Sequence, residues 1–171
     1  MAAKKIISVG LKTLEYADVA TTGIPTVWTN IDVVHEDTFD YSVEAGSEEQ
    51  YINELDGQPY HIDGQNGTPL MNFSIGKYDL EMKAEFFGGT YEAATASDNE
   101  SWTPSATGES VYKAFRAVTE DDVVIVLPKA RVTPSHTRNI KALGLTLQAR
   151  PMKLDTSTPL EKWEVDGTKT A

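Results

Sequence analysis

Alternation with a period of two is the feature that most limits how this chain can fold. In "DTFDYSVEAG", Phe39, Tyr41 and Val43 fall on one side and Asp40, Ser42 and Glu44 on the other. That is the pattern of a strand with one buried face. "PLMNFSIG" places Met71, Phe73 and Ile75 together, and "IKALGLTLQAR" does the same for Leu143, Leu145, Leu147 and Ala149, with Thr146 and Gln148 opposite. Residues 26–34, "TVWTNIDVV", are β-branched and aromatic, which also suits a strand. "VYKAFRAVTEDDVVIVLPKARV" predicts a hairpin with a first arm from Val111 to Thr119, a polar turn at Glu120-Asp121-Asp122 and a second arm from Val123 to Leu127. The unbroken run "VVIVL" predicts burial on both faces. Pro128 has no N–H to donate, so it belongs at a strand end, an edge or a bulge.

One segment departs from this period. In "KYDLEMKAEFFGGTY", Leu80, Ala84 and Phe87 recur at i, i+4 and i+7, a helical stripe. Asp79 is an N-cap residue, Glu81 places negative charge in the first turn, and Gly88, followed by Gly89, falls where a left-handed residue ends a helix. The expected fold is mainly β, an antiparallel β-sandwich or open barrel with one short flanking α-helix. The 171 residues suit a single domain. Two long loops, 44–67 and 92–108, interrupt it, with Asn66-Gly67 reading as a type I′ turn. A final short strand precedes a loose tail at 166–171.

Catalytic patterns are hard to find. A phosphate cradle puts glycines before a helix, where free N–H groups and the positive end of the dipole meet the anion. Here the glycines follow the helix, at its carbonyl end, and no G-K-[ST] follows. His35, His61 and His136 are scattered, and His35-Glu36-Asp37 reads as a solvated turn. "DGQNG" lacks the alternating acids and distal Glu of a calcium loop. "EAGSEEQ" is not G-x-S-x-G. With 26 acids in the chain, no carboxylate pair stands out. The absence of cysteine excludes disulfides, thiolate metal sites and cysteine nucleophiles. No enzyme, cofactor or metal is therefore expected. "MAAKKIISVG" is too short in apolar residues for a signal peptide or membrane helix, so a soluble product is expected.

Charge is segregated along the chain. From Thr13 to Gly76 there is no Lys or Arg and there are twelve acids; from Val123 to Leu154 there are no acids and six basic residues. The net charge of −11 argues against a nucleic-acid binder that works by counterion release. Two readings of the split stay open. The faces attract each other within one fold, or they meet between copies in head-to-tail contacts.

Four pieces in this order carry a family resemblance. They are "TVWTNIDVVHEDTFDYSVEAG" with the acidic "SEEQYINELDGQPY"; "NFSIGKYDLEMKAEFFGGTY"; "SWTPSATG"; and "KAFRAVTEDDVVIVLPKARVT" followed by "IKALGLTLQARP". Over residues 25–152 the chain resembles the major tail tube proteins of long-tailed bacteriophages and prophages, whose fold also occurs in contractile tail tubes and type VI secretion tubes. The resemblance implies a β-sandwich whose copies form hexameric rings that stack into a tube. DNA would pass through it without specific binding. It implies a virion-tail location after assembly in the bacterial host cytoplasm, with further copies and other tail proteins as partners and no membrane. Residues 44–67 would be the stacking loop, with Glu44, Glu48, Glu49, Tyr51, Glu54 and Asp56 as contacts. Lys129, Arg131, Arg138 and Lys141 would form the complementary basic segment. An alternative from the residues alone is a binding module, for carbohydrate, using Trp28, Trp102 or Trp163 as stacking platforms.

Overall fold

The alternating segments become strands in the computed structural model, which describes residues 10–65, 67–139 and 142–165. Among the described residues twelve strands and one helix follow in order: β1 (Thr13–Asp18), β2 (Thr29–Asn30), β3 (Asp40–Val43), β4 (Ser47–Ile52), β5 (Pro59–Gln65), β6 (Pro69–Ile75), α1 (Leu80–Phe87), β7 (Thr90–Glu92), β8 (Ser101–Thr103), β9 (Val111–Val118), β10 (Val123–Asn139), β11 (Ala142–Pro151) and β12 (Lys162–Val165). All pairings are antiparallel. The main sheet runs β2-β1-β9-β10-β11-β6-β3, with β12 added beside the first part of β10.

The long β10 organises this sheet. It was expected to stop at Leu127 but continues to Asn139. Its register against β9 shifts between Leu127 and Ala130, which places Pro128 in a bulge, where a residue without an N–H costs no ladder bond. Before the bulge β12 lies alongside; beyond it β11 takes that side. The bulge carbonyl of Lys129 is not wasted, because the Met152 N–H donates to it at 2.8 Å.

The sheet then folds over on itself. Phe73 on β6 and Phe115 on β9 are separated by two strands in the hydrogen-bonded order, yet their rings are 5.5 Å apart. Tyr41 on β3 likewise meets Trp163 on β12 at 5.4 Å. The two margins are tied together by residues 29–35, and the strand expected over residues 26–34 is only partly formed. Within it only Thr29–Asn30 is a strand. Beyond it the Ile31 N–H donates to Leu14 of β1, and the His35 N–H donates to Ser74 of β6. The segment crosses from one margin to the other, so it cannot follow either as a regular strand. The result is the sandwich-like open barrel that the period-two pattern predicts, not closed by a continuous strand.

The core lies inside this roll. Met71, Phe73, Ile75, Leu145, Leu147 and Ala149 are buried on one side of their strands, as their alternation requires, whereas adjacent Val126 and Leu127 are both buried, as the unbroken run VVIVL predicts. β1 supplies Leu14 to the same core and packs Tyr16 against it, while Ala17 is buried on the opposite face; this uneven burial gives no clean period-two signal in the sequence.

Helix α1 lies against the core. Asp79 Oδ1 accepts from the Met82 N–H at 2.7 Å, and the Gly88 N–H closes the helix on the Ala84 carbonyl at 2.8 Å. The expected stripe of Leu80, Ala84 and Phe87 is only half-buried. Phe86 is the residue that enters the core, 4.9 Å from Tyr16 and 6.3 Å from Phe115. The stripe is displaced because Phe87 turns outward to Trp102 and His136. Residues 92–108 were expected to be a loop, but the small pair β7–β8 spans part of them and holds Trp102 at the end of the helix. Asn66 and the tail 166–171 lie outside the described residues.

Candidate functional site

Residues 44–67 are not the irregular loop that their composition predicts. They form a two-stranded hairpin, β4–β5, hydrogen-bonded as a sheet of its own. The turn is built from local side-chain acceptors. Asn53 Oδ1 takes the Leu55 N–H at 3.1 Å, Asp56 Oδ1 takes the Gln58 N–H at 3.0 Å, and the Gly57 N–H reaches the Asn53 carbonyl. Every residue of β4 is exposed, and Leu55 at the tip is 94% exposed. Sequence reasoning missed these strands because β4 is exposed throughout and the described side chains of β5 are exposed as well, so no buried face imposes alternation.

The register brings charges together. Glu49 stands directly opposite Asp63, and Glu48 opposite Gly64. Like charges in directly opposed positions repel. Glu54 and Asp56 extend the acidic surface into the turn, while Tyr51 lies 5.6 Å from His61. Among the described residues no Lys or Arg comes within 4.0 Å of Glu48, Glu49, Glu54 or Asp56.

The basic segment shows the mirror arrangement. Arg131 on β10 stands directly opposite Arg150 on β11. Both are exposed. Lys129 places its Nζ 5.3 Å from the Tyr112 ring centre. Arg138 lies farther along β10, and Lys141 falls outside the described residues. The two segments touch at the hairpin base, where Arg150 lies 3.5 Å from Glu44. Attraction within one fold thus accounts for Glu44, and Asp63 Oδ1 lies 2.9 Å from His61 Nε2, while among the described residues Glu48, Glu49, Glu54 and Asp56 have no Lys or Arg within 4.0 Å. Arg150 and Asp63, the cross-strand neighbours that make each patch doubly charged, are visible only once the register is known.

The tryptophans differ in availability. Trp28 is half-buried beneath Arg116, whose guanidinium carbon is 5.0 Å from the ring centre. Trp102 donates from Nε1 to the Gly88 carbonyl at 2.9 Å and carries Lys83 Nζ 4.0 Å above its ring. In each case a cation covers one face of the ring. Trp163 is 45% exposed and is steadied by Tyr41 and by an Nε1–H bond to Glu161 at 3.1 Å.

Trp163 borders a cleft of about 800 Å³ that also involves Leu14, Ile31, His35, Asp40 and Glu120. His35 is half-buried, and its Nε2 has no hydrogen-bond partner among the described residues. Among the described residues no group of three or more His, Asp or Glu is placed to hold a metal ion, and no helix is long and apolar enough to cross a membrane.

Comparison with models of known protein families found no match, and comparison with curated proteins found none either.

Proposed function

We propose that this chain is a structural subunit that assembles with copies of itself, in the manner of a tail tube protein. In this reading rings of subunits, six by analogy with that family, stack head to tail into a conduit in a virion tail. The observation that carries the reading is the hairpin β4–β5, which exposes its acids and its apolar side chains together. Ile52, Leu55 and Ile62 are all more than half exposed. An isolated two-stranded hairpin is marginally stable in water, and a partner covering these side chains would stabilise it. The opposed acids Glu49 and Asp63 favour a cationic partner, and the opposed Arg131 and Arg150 provide one on another copy. The two patches are different surfaces of one molecule, so their contact is heterologous. Such contacts generate rings or filaments.

The acidic balance agrees with a conduit function, since a net charge of −11 repels phosphate and lets a duplex pass. Electron microscopy and light scattering of the concentrated protein test the proposal. Rings or tubes are expected. A species that stays monomeric both alone and when mixed with the other components of such a tail would overturn it.

A second reading, a carbohydrate-binding module, is favoured by one observation, the exposed and firmly held Trp163. It predicts quenching or enhancement of Trp163 fluorescence on titration with glycans. A flat response across a glycan panel would end it.

A further inference from the structure

The hairpin β4–β5 has two unlike faces. Residues two apart on a strand share a side, and residues paired across the ladder share it too. Tyr51 pairs with His61 and Glu49 with Asp63, so these four side chains form one face. Gln50 pairs with Ile62 and Glu48 with Gly64 on the other. All four residues of the first face are exposed. His61 Nε2 lies 2.9 Å from Asp63 Oδ1, and its ring centre is 5.6 Å from that of Tyr51. Glu49 stands on the diagonal across the ladder, and Glu54 and Asp56 lie in the turn. At the base, Glu44 is paired with Arg150. Among the described residues no Lys or Arg comes within 4.0 Å of Glu49 or Asp63, and His61 is the basic side chain beside them.

Histidine is the side chain whose ordinary change of charge falls between pH 5 and 8. With the imidazole neutral, this face carries two negative charges, on Glu49 and Asp63. With it protonated, the net is a single negative charge. The added proton also tightens the His61–Asp63 pair within the chain and sets a cation against Arg131 and Arg150 of another copy.

We propose that His61 is a proton-operated control on the hairpin contact, which holds while the imidazole is neutral and weakens when it is charged. The inference rests on the assembly reading and specifies its regulation. A contact with arginines favours the neutral imidazole, so by linkage association weakens as pH falls through the histidine range. The rest of the molecule pulls the other way. Its net charge of −11 shrinks in acid, which lowers the repulsion between copies. The two effects have opposite signs and can therefore be separated by substituting one residue.

The test measures the critical concentration for assembly of the full-length chain, by light scattering and sedimentation at fixed ionic strength, at pH 7.5 and 5.5. For the wild type it is expected to rise about fivefold at the lower pH, the scale of an exposed charge pair. His61→Gln, which cannot charge, is expected to show no rise or a fall. His61→Lys, charged at both values, is expected to match the low-pH wild type at pH 7.5. A wild-type critical concentration that stays level or falls in acid would overturn the proposal, as would an equal rise in His61→Gln. Either result leaves the assembly reading standing, because assembly itself is still observed. Absence of assembly in every variant at both pH values would overturn the two together.

Discussion

Single residues decide how helix α1 is tied down. Gly88 adopts φ +70 and Gly89 φ +89, a conformation that L side chains rarely adopt. Gly89 also approaches its neighbour closely, since a Cβ there would lie 2.4 Å from the Thr103 carbonyl oxygen. Gly88→Val is expected to destabilise the subunit by about 1–3 kcal/mol, measured by chemical denaturation; a wild-type midpoint would contradict the role of Gly88 as the helix stop. Lys113 makes the second attachment. It is 7% exposed, donates to Asp18 at 2.7 Å and pairs with Glu85 on the helix. Burial pushes its pKa down, but the bonds to Asp18 and Glu85 outweigh that and hold it above the ordinary 10.5. A raised lysine pKa means that the fold favours the charged form. Its stabilisation is complete below 10.5 and is lost as pH rises through the raised value. Tyr16, whose phenol is raised chiefly by burial and then by Glu85, adds loss in the same direction. Thermal melts should therefore show the wild type losing stability more steeply than Lys113→Met above pH 10.5. Parallel curves would show that the lysine charge contributes nothing.

Among the elements, α1 and the hairpin β4–β5 make opposite use of their apolar residues. The helix is only eight residues long, too short to be stable by propensity, so its anchoring comes from packing. Phe86 supplies it, being fully buried against Tyr16 and Phe115. Phe86→Ala is expected to cost about 3–5 kcal/mol by denaturant titration, and Phe87→Ala less because Phe87 is half-buried. A larger loss at Phe87 would show that the packing face is misassigned. The hairpin has no such anchor. Glu48→Lys with Glu49→Lys is expected to leave the melting temperature within a few degrees of wild type, since exposed charges contribute about 0–1 kcal/mol. The same pair should sharply reduce assembly seen by light scattering. Assembly at the wild-type level would show that the hairpin acids are not a contact.

For the whole molecule, the register is what turns a charge-segregated sequence into two defined patches. Glu49 and Asp63 are fourteen positions apart, and Arg131 and Arg150 nineteen, yet each pair sits directly across a strand ladder. Nothing in local composition announces either pairing. The half-buried strands were legible because burying one face imposes alternation; Phe73 and Leu147 show it plainly. The hairpin was not legible, because no core selects its side chains. The full length of β10 was hidden as well, since Pro128 reads as a stop until the bulge that accommodates it is seen. Trp28 and Trp102 could be named as possible platforms, but the cations that cover them come from β9 and α1.

The sequence by itself determined a mainly antiparallel β fold, its one capped helix, and the division of charge between an early and a late segment. These follow from local rules: alternation, capping chemistry and side-chain charge. The tertiary structure alone decided which side of the helix is buried, which strands meet across the roll, and which like charges are forced to face each other. Those outcomes depend on contacts between residues far apart in the chain, where register and packing, rather than local preference, fix each side chain's neighbours.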